Sequence, residues 1–515
     1  MLKLKEKARA FWATRSEGNL YKAHGAVPFL KALPFSFEQV LVMFMTNLIP
    51  IVVVMDSFND FGLTSNALQA ALLWTGLGTI LQLFPLWLFG SGLPIMMGTS
   101  FTFIGCLSLI AAEYGSEGYG TMLASALIGS LVLIAVGFLG KWWKKFVKPV
   151  VSATILIAVG LGLLELGMKQ IFSLAPVEYL TGGLYDFSLG WPYILIAVIT
   201  FLASNLWRAL AKGYFKNLNI LFGLVVGFLT SVIFNAIFPN LEILDFSQLS
   251  YETAGDIINV PHLVDFSLFR FRPAAILFAV IIFLVGSSES LGDVIAVAHL
   301  TSGQSASVKE VSGCLTADGL ISAISCCFGS LPIVTSTENV GYMGRTGVVN
   351  REVVFFGALL LVLLSFFPPV SDFFLMIPDA VLGGLMLMIY TSVLTTGLEM
   401  FSKAGFTKKN VMILCLSLGL GYGTSLLGPT FFNATTFAGE LVYFKFVMKN
   451  EEASMFLIAL LLSYLIPEGK KEKPEEEEKK ELEIYATKEE KEEAEEEADE
   501  EKKAPAEGSD SQEKK

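Results

Sequence analysis

The sequence predicts an all-α polytopic membrane protein of about fourteen transmembrane segments, built as two inverted halves of seven. Three observations carry this expectation. The chain has 515 residues, 53% hydrophobic and 16% charged, against about 25% charged in soluble domains. Its apolar runs approach the roughly 20 residues that a helix needs to cross a bilayer. A third observation is a repeat: GLPIMMGTSFTFIG at residues 92–105 returns as SLPIVTSTENVGYMG at residues 330–344.

In chain order, clear spans begin near Val40, Ala67, Leu123, Val150, Trp191, Asn219, Ala274, Val353, Val381, Val411 and Ala453. Three more segments, Leu93–Ala112, Gly313–Gly329 and Leu331–Met343, are apolar but interrupted. Charge placement checks the count. With the basic N-terminus inside, loops after even-numbered spans should be basic. They carry Lys141, Lys144 and Lys145, then Arg208, Lys212 and Lys216, then Arg345 and Arg351, then Lys403, Lys408 and Lys409. The opposite loops carry Asp56, Asp60, Glu113, Glu117 and the acidic stretch 242–256. Lys445 and Lys449 are the exceptions. Both termini are therefore expected in the cytoplasm of a multi-pass cell-membrane protein.

Leu93, Pro94, Ile95 and Thr99 align without gaps to Leu331, Pro332, Ile333 and Thr337, a shift of 238 residues. About seven spans separate the copies, and an odd number inverts the second half. Inverted repeats with paired interrupted segments point to a transporter whose site lies near the bilayer midplane. Pro94 and Pro332, with the small polar residues after them, disfavour continuous helix. Residues 95–101 and 333–338 are expected as short extended pieces in segments 3 and 10, each followed by a half-helix. Broken backbone survives there only where protein or a water-filled cavity satisfies it.

The stretch GSSESLGDVIAVAH, residues 286–299, ends an apolar helix. Glu289 and Asp293 are four apart and share a face. Buried together they repel unless a proton is shared, which suits a proton-coupled carrier. Asp293 has a second reading, as the aqueous end of the helix. Asp318, in LTADGLISA, stands either as a ligand or as a brace for the broken segment.

Other chemistry leaves little trace. The five cysteines fall in apolar segments without a CxxC pattern, and the three histidines are scattered. No metal, cofactor or nucleophile constellation is visible, so an enzyme is not expected. From Glu468 onward there are 21 acidic and 11 basic residues; the rest of the chain holds 27 and 25. The net charge of −12 therefore belongs mainly to a low-complexity tail, expected to be disordered and cytoplasmic. The expected organisation is a cytoplasmic segment 1–36, a first repeat 37–240, an extracellular loop 241–272, a second repeat 273–467 and the tail 468–515. No cleavable signal peptide is evident.

These residues resemble the nucleobase–ascorbate transporters, a nucleobase–cation symporter family that includes uracil, xanthine and uric acid permeases. Its pattern of Gln, Glu or Pro, then Asn-x-Gly-x4-Thr and Arg, Lys or Gly, is met by Glu338, Asn339, Gly341, Thr346 and Gly347. The upstream ExxGD is met by Glu289, Gly292 and Asp293, and the Asp-Gly of the next span by Asp318 and Gly319. Gly90, Gly92, Leu93, Pro94, Gly98, Ser100 and Phe101 approximate the first-half motif. The resemblance covers residues 35–467.

The resemblance implies a core domain of spans 1–4 and 8–11, a gate domain of spans 5–7 and 12–14, and often a homodimer in membrane lipid. It implies that Glu289 and Glu338 bind the base, because a nucleobase edge offers N–H donors to carboxylates. Ser100, Phe101 and Thr337 would complete the substrate site, with Asn339 bracing it and Thr99 and Asp318 supporting it. Glu289 and Asp293 would couple transport to H+; Na+ stays open. Nucleic acid is not expected as a partner. Where the family carries Gln-His in its first span, this chain reads Glu38-Gln39; Glu38 either substitutes for that histidine or sits at the cytoplasmic interface, the reading expected here. Glu338 resembles uracil carriers and Asp293 purine carriers, so uracil and xanthine both stand. The alternative is an inorganic anion transporter of the sulfate-permease type, which shares the inverted-repeat architecture.

Overall fold

The computed structural model describes residues 16–58, 60–172, 187–211, 219–239, 243–244, 257–431 and 442–467. The expectations for residues 1–15, for the acidic stretch 245–256 and for the tail 468–515 lie outside the described residues. Helix α1 spans Phe29–Met55 and α2 spans Phe61–Leu83. Strand β1 (Met97–Thr99) follows, then α3 (Thr102–Tyr114), α4 (Gly118–Phe138) and the short α5 (Gly140–Phe146). Helices α6 (Pro149–Phe172), α7 (Phe187–Leu210) and α8 (Asn219–Ile237) complete the first half.

The second half repeats the order. It runs through α9 (Pro273–Ser302), α10 (Val308–Cys327), β2 (Ile333–Thr335), α11 (Thr337–Thr346), α12 (Arg351–Leu364) and α13 (Pro368–Leu375). Then come α14 (Asp379–Ala404), α15 (Lys408–Leu416), a π-turn at Ser417–Tyr422, α16 (Gly423–Phe431), α17 (Val442–Lys449) and α18 (Glu451–Leu465).

Packing follows the predicted inversion. Helix α2 lies on α12, and α10 lies on α4; exchanging the halves turns one pair into the other. The same exchange relates α1 on α12 to α9 on α4. Helix α6 packs on its own counterpart, α14, and α7 and α8 join them in a second group. The first group holds helices of the expected core, and the second helices of the expected gate. Glycines permit the closest approaches: a Cβ on Gly76 of α2 would stand 2.6 Å from the Ala358 carbonyl of α12.

Among the described residues, eight helices are long and apolar enough to cross a membrane. A ninth crossing results if α12 and α13, bent by 89°, act as one. The remaining segments are short, polar or broken, so length and hydropathy alone do not reach fourteen. Two local expectations change. The strands are three residues each, shorter than 95–101 and 333–338: after Thr99 the chain turns at Ser100 and Phe101 into α3, and after Thr335, Ser336 caps α11. Gly313–Gly329 is mostly continuous helix: Ser307 and Glu310 form a capping box that starts α10, and no proline interrupts it.

The strands meet antiparallel at the centre, with Met97 facing Thr335, Gly98 facing Val334 and Thr99 facing Ile333. Two three-residue strands leave most of their polar groups to find other partners, and a buried unpaired group costs about 1–3 kcal/mol. Side chains supply them. Thr79 Oγ1 accepts from Met97 N at 3.0 Å, and Ser322 Oγ donates to the Ile333 carbonyl at 2.7 Å. Ser325 Oγ donates to the Leu331 carbonyl at 2.8 Å, and Arg351 donates to the Gly92 carbonyl at 2.7 Å. Breaking the spans is tolerated because α2, α10 and α12 were already carrying these donors and acceptors.

Candidate substrate site

Both half-helices begin beside the strand pair. Ser336 caps α11, its Oγ accepting from Asn339 N at 3.3 Å. Thr337 and Glu338 thus fall in the first turn, where free N–H groups and the helix dipole favour negative charge. Helix α3 begins at Thr102, directly after Ser100 and Phe101. Ser100, Phe101, Thr337 and Asn339 are all buried, and Glu338 is half-buried.

Glu289, on α9, joins the two halves. Its Oε2 accepts from Ser100 Oγ at 3.1 Å and Thr102 Oγ1 at 2.7 Å, both from the first broken span. Its Oε1 lies 2.8 Å from Thr337 Oγ1, in the second. The same Thr337 hydroxyl stands 2.8 Å from Asp293 Oδ2. A hydroxyl has one hydrogen, so both contacts are hydrogen bonds only if one of the two acids carries a proton. Glu338 and Asp293 each lie within electrostatic range of Glu289. Among the described residues, no Lys, Arg or His lies in ion-pair range of Glu289, Asp293, Asp318 or Glu338. The site concentrates negative groups and hydroxyls without a fixed counter-cation.

Asp318 braces. It accepts from Thr335 Oγ1 at 3.1 and 3.2 Å and from Gln82 Nε2 at 3.2 Å, tying β2 to α2. Gln82 Oε1 in turn accepts from Ser91 N at 2.9 Å. Asp318 thus hydrogen-bonds to the broken segment and to α2 at once. Thr99 is held by Asn47 of α1, whose Oδ1 accepts from Thr99 N and Thr99 Oγ1 at 3.0 Å each. Asn339 differs from expectation: neither polar atom of its side chain has a protein partner, although the residue is fully buried. Glu38 also differs. It is 4% exposed and accepts from Tyr342 Oη at 2.7 Å, so it is packed against α11 rather than open to solvent. Tyr342 lies one helical turn after Glu338, which draws α1 onto α11 at that level.

Sequence reasoning missed Asn47, Thr102, Gln82 and Tyr342. Asn47 and Gln82 were visible as polar residues within apolar helices, a signal of a role inside the bundle. Nothing in spacing alone pairs Tyr342 with Glu38.

The fold and the site define a class: a multi-pass membrane transporter of inverted-repeat type, with a polar site where two broken spans meet. The chain belongs to the xanthine/uracil permeases of the nucleobase–ascorbate transporter family; the model of this "Permease family" matches residues 30–429. The xanthine permease XanQ of Escherichia coli K12 is 27% identical over 464 residues, covering 87% of this chain and 94% of that protein. The xanthine permease of Bacillus subtilis 168 is 28% identical over 412 residues, covering 78% and 87%. In three dimensions the chain is similar to the transmembrane domain of the cyanobacterial bicarbonate transporter BicA. The TM-score is 0.52 at 14% identity, with 85% of this chain and 98% of that one covered. At that identity the likeness concerns the fold.

Proposed function

We propose that the chain imports a nucleobase, uracil or xanthine, together with a proton, by movement of the core against the gate. The observation that carries this reading is the Thr337 hydroxyl set between Glu289 and Asp293, in the first turn of the half-helix that bears Glu338. A base edge offers N–H donors, and carboxylates in a dry site accept them in strong charge-assisted bonds. Glu289 and Glu338 take those donors, Ser100 and Thr337 contribute hydroxyls, and Phe101 packs against the ring.

Substrate N–H groups compete with Thr337, Ser100 and Thr102 for Glu289. Binding therefore redistributes the hydrogen shared across Thr337, which links substrate occupancy to protonation of the Glu289–Asp293 pair. Membrane orientation follows the lysine and arginine pattern, with both termini cytoplasmic. The repeats run over 37–240 and 273–467, and two chains form a dimer.

The second reading, inorganic anion transport, draws on the likeness to BicA. Carboxylates without a neighbouring cation oppose it, since an anion entering this site would be repelled. Uptake of labelled uracil and xanthine into proteoliposomes under an inward proton gradient tests the proposal. Saturable uptake of one base, abolished by a protonophore, is expected. Bicarbonate or sulfate flux without uptake of either base overturns it.

A further inference from the structure

We infer that Glu38 is a positioning residue: through Tyr342 it fixes the half-helix α11 and thereby the carboxylate of Glu338. This rests on the functional reading above and adds to it a residue outside the binding residues. Helix α11 has ten residues, and helices shorter than about 12 residues are marginal unless neighbours hold them. Its neighbours do so at three levels. At the first turn, Thr337 is bound to Glu289 and Asp293 of α9. Beyond the last turn, Asn350 Nδ2 lies 2.8, 3.1 and 3.0 Å from the carbonyls of Asn19, Lys22 and Gly25, and Val27 N donates to Glu352 at 3.0 Å.

Between those ends the fastening to α1 is the Tyr342–Glu38 bond. Tyr342 is fully buried, and Glu38 lies among apolar residues of α1 without a cation in ion-pair range among the described residues. A carboxylate receiving a phenol hydrogen in such surroundings makes a strong, directional bond. Glu338 and Tyr342 are four apart on one face, so a shift of Tyr342 moves Glu338 with it. Arg345, the next charge on α11, turns instead to Ser392 of α14, 3.3 Å away. The clasp joins α11 to α1, a member of the first packing group.

The test compares wild type with Glu38→Ala, Glu38→Gln and Tyr342→Phe in the purified full chain. Hydrogen exchange of the peptide covering 337–346 is read beside equilibrium binding of uracil and xanthine. Glu38→Ala and Tyr342→Phe are expected to speed exchange in α11, leave α9 unchanged and weaken binding by about tenfold, the scale of one buried hydrogen bond. Glu38→Gln keeps an acceptor for the phenol and should restore both readouts to within about threefold of wild type. Unchanged exchange in α11, or faster exchange with unchanged affinity, overturns the inference. So does loosening spread equally over α9. Wild type that binds neither base sinks the functional reading instead, and α11 exchange still decides the clasp.

Discussion

Met97 stands directly opposite Thr335 in the antiparallel strand pair, and the two residues are also 238 positions apart, the shift of the internal repeat. Each thus faces its own counterpart across the strand pair, which puts the pseudo-twofold axis through this position. The contacts on either side agree: Gly98 faces Val334, and Ser336 N donates to the Met96 carbonyl at 3.0 Å. The axis makes a difference in chemistry visible. Thr99 and Thr337 are counterparts, yet Thr99 meets the amide of Asn47 while Thr337 meets the acids Glu289 and Asp293. One half fixes this position with a neutral group and the other with ionisable ones.

Glu289→Gln should reduce uptake by at least about thirtyfold, because a buried charged partner worth about 2 kcal/mol or more is lost. The variant should remain monodisperse in detergent, since an amide fills the same volume. Near-normal uptake removes Glu289 from the site.

Glu338→Gln should move preference from uracil towards xanthine. A carboxylate accepts from two adjacent donors, whereas an amide matches an edge with one donor and one acceptor. A competition panel of uracil, xanthine, urate, guanine and hypoxanthine checks this, and an unchanged profile counts against Glu338 reading the base.

Asn47→Ala should lower thermal stability by about 1–3 kcal/mol, since Thr99 N–H and two hydroxyls lose their buried acceptor. Thr75 Oγ1 bonds the same oxygen at 3.1 Å. The effect belongs on the unfolding midpoint rather than on selectivity; a changed competition profile with unchanged stability would contradict it.

Gly319→Ala should cost about 1–3 kcal/mol by overpacking. A Cβ there would stand 2.7 Å from Ile134 N and 2.8 Å from the Ser130 carbonyl, backbone atoms that cannot swing aside. Loss of folded protein on size exclusion is the expected readout. Transport with normal stability would show that α10 and α4 can separate.

A pH effect is expected outside the spans. Ser267 N–H donates to Asp265 Oδ1 at 2.8 Å, and that bond holds the Asp265 carboxyl below its ordinary range. A lowered folded value contributes stability above the unfolded value, near about 3.9, which is lost as pH falls through the folded one. Exchange protection of the turn Phe266–Leu268, corrected for intrinsic rate, should therefore fall on acidification below about pH 3.9 in wild type. Asp265→Asn should start lower and stay flat; parallel profiles would sink the assignment.

Much of the polar cluster is legible in the sequence. Glu289, Asp293 and Glu338 stand out because a charge in an apolar run has few reasons to be there, and the repeat located the broken spans. The partners were not legible. Glu38 lies 304 residues from Tyr342 and Asn47 lies 52 from Thr99, and no periodicity relates residues brought together by packing.

The sequence by itself determined a membrane protein of inverted halves, because composition and repeat spacing follow from the cost of exposing polar groups to lipid. It also determined which polar residues stand within the spans. Only the tertiary structure decided which of them meet. The antiparallel register of two three-residue strands sets both half-helix starts against one carboxylate, and the packing of α1 on α11 makes Glu38 a buried acceptor for Tyr342. Pairing of that kind depends on distances across the bundle, and those are fixed when all the helices pack together.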